Sequence, residues 1–249
     1  MRAILSRCAT VMRAGGLTVA LVLAAVSGAR ADRLALPPAL IDLGSPEGAT
    51  LFAHARAKQA YWPLADEFVT QKAQSFCGIA SLAMVLNALA VPAPAVADYG
   101  PFTSFTQDNL FTPATEKIIP QAYIPNHGMT LDQVGAVAAS FGVTVRVVHV
   151  SAVSVAHFRT EAAAALGKSG HFVIVNYLRT ALGQQRYGHI SPLGAYDRRS
   201  DRFLILDVAR YKYPPTWVRT ADLFAAMNTI DAGNNNQTRG YLLLDYTKP

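Results

Sequence analysis

The chain has 249 residues, 51% of them apolar, with 22 lysines and arginines against 16 acids and a formal charge of +6. That size and composition suit one large domain or two small lobes around a sizeable core. Four of the arginines fall in residues 1–31, so the remainder carries only +2, too little to point to a nucleic-acid partner.

The first segment reads as a leader. "MRAILSRCATVMR" is basic, "AGGLTVALVLAAVSG" is an apolar run, and "ARA" places small residues just before Asp32. This is the pattern of a secretory signal peptide over residues 1–31, cleaved after Ala31. A membrane-spanning helix needs about 20 apolar residues, so the run is short for an anchor. The expected mature protein is a single catalytic domain over 32–249, secreted or periplasmic, with no stable membrane insertion after cleavage. Cys8 leaves with the leader, and Cys77 is then a lone thiol in an oxidising compartment, unable to form an internal disulfide.

Residues 32–48 look like an extended, proline-containing arm. The first clear helix starts at "SFCGIASL", where Ile79, Leu82, Ala83 and Leu86 follow a helical period. Ser75 is the expected N-cap, which puts Cys77 in the first turn. Residues 89–113, rich in proline, threonine and aromatics, are expected to be irregular. A second helix begins at Thr130 with a Thr130/Gln133 capping box and ends near Gly142. A third runs over 154–167, capped by Ser154.

Strands take over from there. "VTVRVVHV" (143–150) and "HFVIVNYL" (171–178) are β-branched or continuously apolar. "GHISPLGAYD" (188–197) and "RFLILDVA" (202–209) flank the polar turn "DRRSD" and read as an antiparallel hairpin. Pro192 argues for an edge or a bulge in its first strand. "DAGNNNQTRG" (231–240) is a polar loop before the last strand. Its Asn236-Gln237-Thr238 matches a glycosylation sequon, a match too short to argue from. The predicted class is α+β: a helical N-terminal half, then an antiparallel sheet.

A thiol nucleophile needs a lowered pKa, a base and donors for an oxyanion. The first turn of a helix serves the first and last of these through its free N–H groups and dipole. Cysteine is equally at home as a small buried core residue, and helix position alone does not choose between the two readings. Of six histidines, His54, His149, His157 and His171 sit in or beside periodic apolar segments and read as packed or surface residues. His127, in the loop "IPNHGM", stays open as a base. His189 has a strand partner. With the turn centred on Arg199, His189 faces Ala209, and Asp207 lies one diagonal step away on the same face, placed to orient the imidazole. A one-residue slip of register would separate them. Gln71 and Gln74 are both near enough to complete an oxyanion hole with the Cys77 N–H, and spacing does not choose between them.

Four ordered motifs carry a resemblance: "TQKAQSFCGIASLAMVLNAL" (70–89), "GMTLDQVGAVAASFGV" (128–143), "FVIVNYLRTALGQQRYGHISPLGAYD" (172–197) and "RFLILDVARYKYPPTWV" (202–218). In these the chain resembles the phytochelatin synthases, within the papain-like cysteine peptidase superfamily. The resemblance implies a papain-like fold whose helical N-terminal lobe carries the cysteine and whose antiparallel sheet carries His and Asp. It implies Cys77 as nucleophile, His189 as base and Asp207 as orienting acid, and it selects Gln71 for the oxyanion hole. Arg210 and Tyr213 would lie beside the active site, and Asp231 and Arg239 would hold the charged ends of a γ-glutamyl group.

Glutathione would be the substrate, losing glycine to form a γ-glutamylcysteinyl thioester. The chain stops at Pro249 and resembles the short bacterial form, for which hydrolysis is expected above synthesis of phytochelatin. No cofactor is required on this reading, and no residue is assigned as a metal ligand; cadmium or zinc would act through metal–thiolate forms of the substrate. Whether the protein forms a homodimer is open. The competing readings are a dedicated synthase, a non-catalytic module binding glutathione or its metal complexes, and a peptidase of leader peptides.

Overall fold

The apolar runs of the C-terminal half pair into one sheet, seen in a computed structural model that describes residues 33–247. The leader expected over 1–31, with its cleavage after Ala31, lies outside the described residues. Seven strands pair in the spatial order β1-β6-β5-β4-β3-β9-β2. They are β1 (Ile41–Asp42), β2 (Thr144–His149), β3 (His171–Leu178), β4 (Gly188–Asp197), β5 (Arg202–Ile205), β6 (Thr216–Arg219) and β9 (Gly240–Asp245). Every pairing is antiparallel. A separate hairpin joins β7 (Ile230–Asp231) to β8 (Gln237–Thr238) within the segment expected as a loop.

Eight α-helices accompany the described strands: α1 (Pro46–His54), α2 (Tyr61–Asp66), α3 (Cys77–Ala88), α4 (Pro113–Ile118), α5 (Ile124–His127), α6 (Leu131–Ser140), α7 (Val155–Leu166) and α8 (Thr220–Met227). The caps expected for α6 and α7 are present. Thr130 and Gln133 form a reciprocal capping box, and Ser154 Oγ accepts the His157 N–H. α3 differs: its N-cap is Phe76 rather than Ser75, and no side chain caps it. The chain is an α+β protein, although the segregation is looser than the sequence suggests. β1 comes from the N-terminal arm, and α7 and α8 interleave with strands.

The middle of the sheet is covered on both faces. β3 and β4 are buried at successive residues, as continuously apolar strands require. A Cβ on Gly135 of α6 would approach Leu242, whereas Phe158 of α7 packs its ring 5.0 Å from that of Tyr241. Neighbouring residues of β9 point to opposite faces, so α6 and α7 flank the sheet from opposite sides. α3 lies with α6, its Gly78 held against Val134 and Met129.

Pro192 sits in a central strand rather than at an edge, and the bulge that was the other expectation is present beside it. On the β3 side it pairs with Ile174. On the other side its carbonyl accepts the Leu206 N–H at 2.9 Å, just where β5 ends, so no ladder donor is missed. The bulge falls between Leu193 and Ala195, around Gly194. It has a second effect. At the turn the partners are Asp197↔Arg202 and Tyr196↔Phe203, one residue off the expected register, and past the bulge Leu193↔Ile205 is back on it. The slip that would have separated His189 from Asp207 is present at the tip and undone before the site.

Candidate active site

Cys77 is the first residue of α3, and the missing side-chain cap leaves the first-turn N–H groups without a side-chain acceptor. A buried bond from Ser81 Oγ to the Ile190 carbonyl, 3.1 Å, ties α3 to β4. β4 in turn carries His189, which lines the same cavity as Cys77 and whose charge favours the thiolate. Asp207 lies just past β5, where the chain bends and its Oδ1 accepts the Ala209 N–H at 2.8 Å. That turn ends β5 four residues before the expected limit at 209 and brings the carboxylate 2.9 Å from His189 Nε2.

The electrostatics follow from burial and pairing. Burial pushes the Asp207 carboxyl up, but His189 and Arg179 more than offset this and hold it well below the usual carboxylate range. Asp207 is therefore an acceptor only, so His189 Nε2 bears the hydrogen and Nδ1 is the nitrogen left for the thiol. Burial depresses the His189 imidazole, and the Asp207 charge beside it raises it above its ordinary value. Burial likewise opposes the Cys77 thiolate. The hydrogen bond and charge of His189, a bond to the Ile190 backbone and the Arg179 charge bring the thiol below its ordinary range. Each of the three shifts is in the direction that favours a thiolate–imidazolium pair.

Cys77 and His189 open onto a cavity of about 480 Å³, whose other walls include Asn176, His127, Asp231 and Arg239. Asp231, at the end of β7, lies 3.7 Å from the Arg239 guanidinium. The same guanidinium donates to the Ile230 carbonyl at 2.6 Å and to Thr229 Oγ1 at 3.1 Å. Its Nε is buried without a partner among the described residues. Gly188 permits this placement, since a Cβ there would sit 3.2 Å from two guanidinium nitrogens. His127 stacks on Tyr123 with ring centroids 3.8 Å apart, and its Nδ1 lies 3.1 Å from the Tyr123 carbonyl.

The remaining residues singled out in the sequence lie on the cavity wall or behind it. Gln71 is buried beside the Val208–Tyr211 segment, donating from Nε2 to the Ala73 carbonyl (2.7 Å) and to the Tyr211 hydroxyl (3.0 Å). Gln74 lines the cavity and accepts from Lys212 Nζ at 3.2 Å. Tyr213 does not line the cavity: its hydroxyl accepts the Gln185 N–H, and its ring lies under the Arg179 guanidinium. Arg210 turns away, donating to the Phe68 carbonyl at 3.0 Å and lying over the Phe68 ring.

Two members of the site were not singled out. Arg179 is 2% exposed and pairs with Asp207 Oδ2 at 2.8 Å. Its signal was a cation directly after the apolar run "HFVIVNYL", which buries with that run and needs an acid. Ser191 is fully buried, with Oγ 3.0 Å from His189 Nε2. Its signal was the two-residue spacing from His189, which puts both on one face of β4.

Comparison with known proteins finds one family and a set of relatives. Residues 31–241 match the family described as phytochelatin synthase. The chain is 36% identical over 215 residues to "Glutathione gamma-glutamylcysteinyltransferase 3" of Lotus japonicus, covering 85% of this chain and 43% of that protein. It is 34% identical over 215 residues to "Glutathione gamma-glutamylcysteinyltransferase 2" of Arabidopsis thaliana, covering 85% and 46%. The Schizosaccharomyces pombe "Glutathione gamma-glutamylcysteinyltransferase" is 31% identical over 213 residues, covering 84% and 50%. The chain thus spans less than half the length of these plant relatives.

Proposed function

Since the chain belongs to the phytochelatin synthase family, we propose that it is a papain-like enzyme cleaving the Cys–Gly amide of glutathione through an acyl-enzyme on Cys77. The observation that carries this is that Cys77 and His189, with Asp207 bonded to the imidazole, line the cavity that also holds the Asp231–Arg239 pair. The Cys77 thiolate attacks the amide carbonyl. His189, protonated at Nδ1, gives that proton to the departing glycine nitrogen, and a γ-glutamylcysteinyl thioester remains. The Cys77 N–H and the Gln71 amide would receive the oxyanion, the amide by exchanging its bond to Tyr211.

Asp231 and Arg239 suit the two ends of the γ-glutamyl zwitterion: a carboxylate for the α-ammonium and a guanidinium for the α-carboxylate. Arg239 Nε, buried without a partner, adds an unused donor at that end. In this reading His189 next activates water, and γ-glutamylcysteine is the main product; transfer to a second glutathione is the side reaction. A cavity of about 480 Å³ falls within the usual range of about 300–1,000 Å³ and has room for a tripeptide donor. The basic, apolar and small-residue regions of 1–31 support export of the enzyme. Among the described residues no helix is long and apolar enough to cross a membrane.

The test is incubation of residues 32–249 with glutathione, with and without cadmium or zinc, read by mass spectrometry. Equal glycine and γ-glutamylcysteine are expected. Accumulating γ-glutamylcysteine oligomers would make the protein a synthase. Glycine release by Cys77→Ser at the wild-type rate would remove the nucleophile from the scheme.

A further inference from the structure

Asp207 Oδ1 receives three donors: His189 Nε2 at 2.9 Å, Arg179 Nη2 at 2.9 Å and the Ala209 N–H at 2.8 Å. A carboxylate oxygen offers about two lone-pair sites, so Oδ1 is crowded even though the guanidinium nitrogen is shared with Oδ2 at 2.8 Å, and the imidazole gains from a second acceptor. Ser191 Oγ is also within hydrogen-bond distance of this ring nitrogen, 3.0 Å from Nε2. It accepts the Val208 N–H at 3.3 Å, which leaves it a second lone pair for the imidazole. Val208 directly follows Asp207, so a single hydroxyl ties the histidine to the backbone that positions its acid.

We infer that Ser191 is a positioning residue, sharing the Nε2 hydrogen of His189 with Asp207 and so keeping Nδ1 aimed at the Cys77 thiol. The inference rests on the proposed Cys77–His189 pair and deepens it. The proton that moves in catalysis is the one on Nδ1, while the Nε2 hydrogen stays in a three-centre bond between carboxylate and hydroxyl. Without the hydroxyl, Nε2 has only the crowded oxygen, the imidazolium loses a partner, and the thiolate it stabilises is less favoured.

The test measures iodoacetamide alkylation of Cys77 against pH, with kcat and KM for glycine release, in wild type and in Ser191→Ala, Ser191→Thr and Ser191→Val. Threonine and valine share a shape and differ by the hydroxyl, so crowding in this buried site affects both alike. The expected result is a midpoint raised by about half a unit or more in the alanine and valine variants. Threonine should restore it, kcat should fall about 10-fold without the hydroxyl, and KM should hold steady. An alanine midpoint equal to wild type overturns the inference, even if the bulkier variants do not fold. Equal shifts in threonine and valine overturn it too, by assigning the effect to packing. A wild-type midpoint in the ordinary thiol range overturns the ion pair itself, and the inference falls with it.

Discussion

At the scale of single residues, the site is a chain of charges whose members set one another's ionisation. Asp207 is buried between one permanent cation and one conditional cation, and the permanent one is Arg179. Removing one partner of a buried pair typically costs about 3–5 kcal/mol. Arg179→Met should therefore lower stability by about 3 kcal/mol, the low end, because His189 remains as a partner; urea unfolding measures this. Asp207→Asn leaves Arg179 buried without a counter-charge, so it should lower stability on the same scale and lose at least 100-fold in glycine release, since a neutral amide no longer favours the imidazolium.

The pH dependence has a definite sign. Asp207 is depressed when folded, so its contribution to stability is complete above the unfolded value of about 3.9 and is lost as pH falls through the lower folded value. For activity, the depressed Cys77 sets the acid limb and the raised His189 the alkaline limb. Alkylation of Cys77 should therefore stay fast well below the ordinary thiol range of about 8.5. A profile that follows a free thiol would refute the pairing.

At the scale of elements, much of the arrangement was legible because the signals were local. The α6 capping box, the Ser154 cap and the β4–β5 hairpin each depend on residues close in sequence. Ser75 failed as a cap because polarity does not show which residue leaves helical geometry; Phe76 does so, bare of side-chain acceptors. Pro192 announced the bulge that follows it, but propensity cannot show that β5 ends opposite it and so lets a central strand hold a proline. Arg179 escaped notice because its importance comes from Asp207, 28 residues away, and only the fold joins them.

The joins between elements are also where backbone packing is least forgiving. A Cβ on Gly240, at the β9–β2 pairing, would lie 1.9 Å from the Val148 carbonyl oxygen. Gly240→Ala should thus cost about 3 kcal/mol, measured by urea unfolding, because a strand and not a flexible side chain has to move.

At the scale of the whole molecule, the sheet is assembled out of sequence order. The strand made last among those described, β9, lies between β3 and β2, and it is the only strand that pairs with β2. The ladder that supports His189 through β3 and β4 therefore has an open side until Gly240–Asp245 has been made. Arg239 and the β7–β8 hairpin, which wall the cavity, are supplied in the same closing stretch. Chains truncated before residue 240 should be readily digested by protease and release no glycine, whereas the full chain resists digestion. Protection appearing before that point would show that β2 has another partner. Such contacts between distant parts of the chain form late and slowly. A growing polypeptide therefore holds Cys77 long before Gly240–Asp245, the last strand among the described residues, can close the gap between β3 and β2.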